Sequence, residues 1–516
     1  MESHKISLLG TGNTGEVGKD TAESLSIPRL MRPLGGEGAE VSFFLETLRH
    51  PPLSVEEIRG RQAVIATFVS HPSMLRELLV LFDEFGRIKG NWDAERSKSF
   101  TLRRLNTGDA TTEFYNARLS LQLNARYLKI TLLRLQAIAQ LLAKYRHESA
   151  FLLDLQNAAH AASLSPAAQE LYAFADQIEG GILEAVSYDM EAESDDEVRL
   201  IHLFLSDFRH TSLSAEKESA ESGTLASFFR RASRQKSAPA PLPPEELSAY
   251  MTPSADLRHA LRMEAIGETD RRITHAARAL LSRFGDVRRD LYFYQRAICY
   301  CTRMAERGIS MIYPEILPED ACVIRIKELR DPLLLSESSR TDAVVANDMD
   351  LCRAGGISGM LIRGANSSGK TVFLRSVGTA VLFALNGLPI PAASAEISVR
   401  RSMHTLFASA EKELSTASSA GRFEEEAAAM AQILDSVSQS SLILLNETFQ
   451  STAYAEGAAG IAPILEHISL LGGSFIFVTH LTELFDTYRN TPGVRLAVSG
   501  SDPRTRYKIL PDTVKE

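Results

Sequence analysis

The sequence of 516 residues has little of what marks exported or membrane-spanning chains. Its four cysteines (Cys299, Cys301, Cys322 and Cys352) are too few for a disulfide framework. The Cys299–Cys301 pair has no second Cys or His pair at zinc spacing, so both read as buried apolar residues in a reducing compartment, and the expected localisation is cytoplasmic. No run approaches the roughly 20 apolar residues that cross a bilayer. Residues 1–20 are polar and Gly-rich, without the apolar stretch that export needs. No membrane partner is expected. Positive charge is not in excess either. A net charge of −9 argues against attachment to DNA through global charge, while leaving local basic surfaces open.

What is present is ordinary in bulk and specific in detail. Hydrophobic residues make up 44% and charged residues 23%, as in globular proteins generally, and the length predicts two to four domains. Residues 1–40 are weakly patterned and are expected to form a flexible N-terminal segment. Within them Gly10, Gly12 and Gly15 spell G-x-G-x-x-G, but no second strand–helix pattern follows, which argues against a dinucleotide site. Residues 41–90 carry apolar positions at helical spacing, and Phe44 there reads as core. From Thr112 to His147 runs one long helical pattern, with Leu121, Leu128, Leu135 and Leu142 seven apart and Ala125, Leu132 and Ala139 near the complementary positions. Such a seam packs along another long helix.

The helical reading continues over residues 150–210, with the acidic run Glu191–Glu197 as a solvated helix end or loop. Residues 212–255 turn rich in Ser, Ala and Pro and read as a polar insertion, in which Phe228 and Phe229 precede Arg230, Arg231, Arg234 and Lys236. An exposed loop is the simpler reading of that basic–aromatic patch. A second long helical pattern runs from Ala255 to Gly308 with a break at Gly285. Two long helices around a polar insertion suggest an antiparallel arm. From residue 322 short apolar strands alternate with helices, which predicts a domain boundary near 315–325 and an α/β domain beyond it.

That domain holds the strongest motif. Gly364-Ala365-Asn366-Ser367-Ser368-Gly369-Lys370-Thr371 fits G-x-x-x-x-G-K-[ST], with an apolar strand before it and a helix-forming run after it. Glycines let backbone N–H groups curl around phosphate oxygens, and a helix N-terminus favours negative charge. Lys370 would reach the β- and γ-phosphates and the Thr371 hydroxyl would coordinate Mg²⁺. Downstream, the apolar strand ending at Asn446-Glu447 offers Glu447 as general base, and a third strand delivers His480 at its C-terminal end. Ligands of open α/β sheets bind outside those ends.

The order of these blocks resembles the MutS family of DNA mismatch repair proteins. Asn366 matches the family's G-P-N-x-x-G-K-[ST], with Ala365 in place of proline. Val345-Ala346-Asn347-Asp348 looks like the family's strand entering the ATPase domain, and Leu388 to Ile397 looks like its "V-P-A…I" segment. Leu406-Phe407 stands for "I-F", Leu444 to Glu447 for "L-x-D-E", and Thr479-His480-Leu481-Thr482-Glu483-Leu484 for "T-H-x-x-E-L". Gly421-Arg422-Phe423-Glu424-Glu425-Glu426 corresponds to the family's "S-x-F…E" loop, which in the family reaches the partner subunit's nucleotide. The resemblance covers about 170 residues, and residues 41–320 are similar to the family's core and lever region only in texture.

The resemblance implies an α plus α/β architecture. Residues 41–320 would form a helical core/lever region with the insertion at about 212–255, and residues 321–516 an ABC-type P-loop ATPase domain. It implies ATP and Mg²⁺ as cofactors, with catalytic Glu447, Lys370 and His480, and Thr371 and Asn446 as metal ligands. Nucleotide would be held by Gly364, Ala365, Asn366, Ser367, Ser368, Gly369, Lys370 and Thr371, and by Phe423 across a homodimer. The implied activity is ATP hydrolysis coupled to mismatched, branched or non-duplex DNA in repair or recombination.

Several departures favour a rival. Asn446 replaces an aspartate, Gly421 replaces a serine (with Ser418 and Ser419 close by), and Gln450 replaces an arginine. No counterpart of the family's N-terminal mismatch-reading domain, C-terminal dimerising helices or an appended nuclease domain is expected within these residues. The rival is a nucleotide-dependent switch or scaffold with little hydrolysis and no DNA binding.

Overall fold

The computed structural model describes residues 5–35, 38–105, 110–180, 186–194, 200–210, 255–353, 355–407, 419–449 and 454–512. Contacts group the chain into two compact units, one of Met1–Ile6, Arg76–Arg146 and Leu153–Arg288, the other of Ser7–Leu75, His147–Leu152 and Arg289–Glu516. In chain order the first elements are β1 (Glu16–Val17), α1 (Thr21–Ser24), α2 (Ile27–Met31), α3 (Gly38–Arg49), α4 (Val55–Ser70), α5 (Pro72–Leu105) and α6 (Ala110–Lys144). Then come α7 (Ala150–Ser163), α8 (Pro166–Glu179), β2 (Val186–Ser194), β3 (Leu200–His210), α9 (Ala255–Phe284) and α10 (Val287–Glu306). The rest alternates: β4 (Glu315–Leu317), β5 (Val323–Leu329), α11 (Pro332–Glu337), β6 (Asn347–Cys352), β7 (Gly359–Arg363), α12 (Lys370–Leu385), β8 (Ser394–Ser398) and β9 (Ser402–Phe407). It closes with α13 (Ser419–Ser436), β10 (Leu442–Asn446), α14 (Tyr454–Leu470), β11 (Ser474–Val478), α15 (Thr482–Tyr488), β12 (Val494–Ser499) and β13 (Ile509–Pro511). Among the described residues no single helix is long and apolar enough to cross a membrane.

The first unit is built on long helices. The leucine seam does what its spacing dictates: Leu121, Leu128, Leu135 and Leu142 are fully buried, and α6 packs along α8 and α9. Polar contacts pin the register. Lys129 bonds Asp176 at 2.8 Å and Glu179 at 2.6 Å. The Trp92 indole donates to Asn124 Oδ1 at 2.7 Å, and Asn124 Nδ2 donates onward to Asp270 Oδ1 at 2.5 Å. One expectation fails here. The helical reading of residues 150–210 holds through α8, but β2 and β3 form an antiparallel hairpin. Glu191 and Glu193 therefore lie on a strand, not on a helix end. Val186–Met190 alternates apolar and polar residues at a period of two, and Leu200–Phe208 is rich in apolar and aromatic residues, both compatible with strands. The insertion at 212–255, with Phe228 to Lys236, lies outside the described residues except for its last position.

The second unit holds a seven-stranded sheet in the order β1-β9-β10-β11-β7-β12-β13, parallel except for the β12–β13 pair. Its central strands are continuous apolar runs because both faces are covered; every residue of β10 and β11 is buried. A smaller sheet, β4-β8-β5-β6, completes the unit. The junction expected near 315–325 falls inside this unit, since Glu315–Leu317 pairs in parallel with Glu396–Ser398.

The N-terminal segment also departs from its expectation. Glu16–Val17 adds an edge strand beside β9, and Leu8, Val17, Leu25, Ile27, Leu30 and Met31 are buried. Thr11 and Gly12 donate their backbone N–H groups to Glu57 Oε1 at 3.0 and 2.9 Å, so the glycine-rich loop is closed by the chain's own carboxylate. Asp290 accepts from Ser7 Oγ and from the Leu8 N–H, each at 2.8 Å, while Tyr294 donates to Leu8 O and Arg61 to Leu9 O. Short apolar anchors and buried polar clasps, not a long periodic pattern, order this stretch.

Burial raises the Asp290 carboxyl to about 6 from an ordinary 3.8, against the opposing effects of Ser7, the Leu8 N–H, Arg289 and Arg61. A carboxyl so raised binds its proton in the native state at pH values where the unfolded chain has lost it. Its contribution to stability therefore grows as pH falls from 6 toward 4, and the buried charge costs most above pH 6. Asp290→Asn is expected to stabilise the unit at pH 8 by roughly 2–3 kcal/mol and by progressively less below pH 6. Thermal melting of variant and wild type across this range checks it; a gain that does not shrink with falling pH would contradict the shift.

Candidate functional site

Three neighbouring strands, β10, β11 and β7, end on one edge of the parallel sheet, and each carries a polar group past its last apolar residue. The loop Gly364–Gly369 leaves β7 and opens α12 at Lys370. Its backbone demands glycine at two points. Gly364 has φ 151°, and a Cβ there would stand 1.7 Å from Ser499 Oγ; Gly369 caps α12 at φ 92°. Ser499 also donates to Ser368 Oγ at 2.6 Å, fixing the loop to β12.

Lys370 is 3% exposed, and burial lowers its pKa, an effect opposed by Glu447. Its Nζ donates to Gly364 O at 2.8 Å and Ala365 O at 2.9 Å, and lies 3.9 Å from Glu447 Oε1. A cation already curled over the loop is placed to meet a phosphate oxygen in the same concavity. Thr371 Oγ1 donates to Asn446 Oδ1 at 3.1 Å, so the two expected metal ligands are in contact. Among the described residues no cluster of His, Cys, Asp and Glu forms a metal site. The Thr371–Asn446 pair offers oxygen donors alone, the kind of ligand that Mg²⁺ accepts in small number beside phosphate oxygens.

Glu447 follows Asn446 with φ 53°, and its N–H donates to Val478 O at 2.8 Å, holding the turn to β11. A non-glycine residue in the left-handed region costs about 1–3 kcal/mol and is found where the neighbours impose it. Its Oε1 is 3.2 Å from His480 Nε2. The sheet thus brings Lys370, Thr371, Asn446, Glu447 and His480 together. A cavity of about 450 Å³ opens beside them, lined by the loop from Ser367 to Thr371, by Glu447, and by Leu334, Val344, Val345 and Tyr507.

Gly421, Arg422 and Phe423 lie on α13 and not on a loop, because Ser419–Ser436 is rich in Ala and Glu and winds as one helix. Their side chains, like Ser418 and Gln450, lie outside the described residues. Of the cysteines, Cys301 is buried and Cys299 half-buried.

Other residues support the site without having been singled out for it. Asp331 is 3% exposed and caps α11 by accepting from the Leu334 N–H at 2.7 Å. It also accepts from Arg375 Nε at 3.0 Å and Ser376 Oγ at 3.2 Å, which ties a cavity wall to α12. Its Asp-Pro start is a helix-capping signal readable in the sequence. Asn347 donates to Tyr507 O at 3.1 Å and accepts from the Ile509 N–H at 2.8 Å, positioning Tyr507 over Gly369. Nothing local in the sequence announces that contact, which spans 160 residues.

A glycine-rich loop between strand and helix, with an amide, a carboxylate and a histidine delivered by adjacent parallel strands, marks the ligand-facing edge of an α/β domain. Residues 360–506 match the family model for MutS domain V. The chain is 35% identical over 194 residues to the putative endonuclease MutS2 of Bacillus subtilis (strain 168), a stretch covering 37% of this chain and 24% of that protein. It is 30% identical over 200 residues to the DNA mismatch repair protein msh-2 of Neurospora crassa, covering 38% and 21%. The matched C-terminal residues are thus similar to domain V of MutS-family proteins. The matched part spans about a quarter of the length of these curated relatives. The relationship implies nucleotide binding by the domain matched.

Proposed function

We propose that this protein binds ATP with Mg²⁺ and hydrolyses it, and that the nucleotide state controls its hold on DNA in repair or recombination. The observation that carries the reading is the meeting of Lys370 and Glu447 in one cavity at the ends of β7 and β10, with His480 from the end of β11 against Glu447. In this reading the loop N–H groups and Lys370 take the phosphates. Leu334, Val344, Val345 and Tyr507 offer apolar and aromatic surface to the base. Thr371 and Asn446 would hold Mg²⁺, which supplies neutralisation of the charge developing on the transferred phosphoryl group. Glu447 accepts the proton of the attacking water, and His480, 3.2 Å away, keeps the carboxylate turned into the cavity. Within this proposal the residues from 321 onward work as an ABC-type ATPase domain and the helical part as core and lever.

The family relationship motivates the remaining parts. A homodimer would pair two such domains into composite ATP sites, with the region around Gly421–Phe423 completing the neighbour's site. DNA that is mismatched, branched or otherwise not plain duplex is the partner. Electrophoretic mobility shifts on junction, heteroduplex and homoduplex DNA test this part. Binding that weakens with salt and favours junction or heteroduplex is expected; no salt-sensitive binding to any of the three would overturn the DNA reading.

A second reading draws on Asn446. An amide keeps an oxygen for Mg²⁺ but brings no charge, and Asn446 Oδ1 already accepts from Thr371. This favours a nucleotide-dependent switch or scaffold that binds ATP tightly and turns it over very slowly. The two readings separate on turnover number.

A further inference from the structure

The turn after β10 is held from outside by one side chain. Phe449 has φ 61°, two residues beyond Glu447 at φ 53°, so two non-glycine residues in three stand in the left-handed region. The Phe449 N–H donates to Glu426 Oε2 at 2.6 Å, a short bond from an amide to a carboxylate. The Phe449 ring is buried in the cluster that includes Met430, Leu445 and Phe477. Glu426 and Met430 lie four apart on α13, so one face of that helix grips both the backbone and the ring of the residue that ends the turn.

We infer that Glu426 is a positioning residue for hydrolysis. By fixing the Phe449 N–H it holds the turn that keeps the Glu447 carboxylate against His480 and beside Lys370, and it makes the alignment of Glu447 depend on the position of α13. This rests on the proposed ATPase reading for its catalytic consequence, though not for the anchor itself. The link passes through backbone. Glu426 lies near none of the reacting groups by sequence, and its hydrogen bond reaches Phe449, not Glu447. Loss of the anchor should therefore misplace the base without removing it. A misplacement of about an ångström can lower turnover on the order of 10²-fold. Nucleotide affinity, set by the loop and Lys370, should stay as it is. α13 starts at Ser419, so movement at its N-terminal end would reach Glu447 through this bond.

The test compares Glu426→Ala, Glu426→Gln and, as a charge-loss control on an exposed position of the same helix, Asp435→Ala. Amide hydrogen exchange of the peptide containing residues 447–449 is measured without nucleotide, and kcat and ATP affinity are measured alongside. Glu426→Ala is expected to speed exchange at Phe449 and lower kcat about 10–100-fold with affinity unchanged. Glu426→Gln, which keeps a carbonyl acceptor, should recover most of both, and Asp435→Ala should match the wild type in both. Unchanged exchange in Glu426→Ala would overturn the anchor. Faster exchange with unchanged kcat, or equal losses in the Gln and Asp435 variants, would overturn the positioning role. A wild type without Lys370-dependent turnover would instead overturn the ATPase reading and the catalytic half of this inference, and the exchange arm would still decide the anchor.

Discussion

Glu447→Gln is expected to slow ATP hydrolysis by about 10²–10⁴-fold while ATP still binds within a few-fold of wild-type affinity. Two carboxylates line the cavity; Asp331 is committed to Arg375, Ser376 and the Leu334 N–H, whereas Glu447 stands beside a histidine that can orient it toward water. Glutamine preserves the shape and can keep a contact with His480, but it is not a base. The residue sits at φ 53° because the strand ladder and the Glu447 N–H bond to Val478 O impose it. Neither depends on the side chain, so the variant should fold as the wild type does. A fluorescent ATP analogue measures binding, and phosphate release measures turnover. Retained turnover within about tenfold would show that Glu447 is not the base.

Lys370→Ala is expected to fail earlier, at binding. Lys370 is buried over its own loop, with its charge offset only by two carbonyls and a carboxylate 3.9 Å away. Phosphate oxygens would give that cation the charged partners it lacks. Hydrogen bonds to charged groups are worth about 1.5–3 kcal/mol each, so one or two lost bonds weaken ATP by on the order of 10–10⁴-fold. Titration calorimetry reads the affinity, and the melting temperature without nucleotide shows whether the fold is intact. Undiminished affinity in a folded Lys370→Ala variant would place the phosphates elsewhere. The pair of variants separates the steps: one binds and does not turn over, the other does neither.

Much of the site was legible because its chemistry is local. G-x-x-x-x-G-K-T is contiguous, and its strand and helix flanks carry their own hydrophobic signals; β7 and α12 stand where those signals put them. Asn446, Glu447 and His480 could be read because each follows a short, wholly apolar strand, and such strands are interior to a parallel sheet. The long seam of α6 was equally plain, since a seven-residue leucine spacing has few other outcomes. What escaped depends on tertiary partners. The Gly10–Gly15 stretch looks unstructured until Glu57, distant in sequence, closes it. Asp331, Asn347 and Tyr507 acquire roles only when the chain returns to them. The β2–β3 hairpin is hard to read for another reason: clean alternation is confined to Val186–Met190, and the apolar run of Leu200–Phe208 suits a helix as well as a strand. The loop expected at Gly421–Phe423 came from the family pattern, whereas the residues themselves, Ala- and Glu-rich, favour helix.

One measurement decides whether this cavity is an ATPase site: steady-state phosphate release from ATP with Mg²⁺, with and without DNA, by wild type and by Lys370→Ala prepared in parallel. Turnover that disappears with Lys370 and changes when DNA is added is the expected outcome, and its rate separates a working ATPase from a slow switch. Turnover equal in the two preparations, or none in a wild type shown to bind ATP, would contradict hydrolysis at this site.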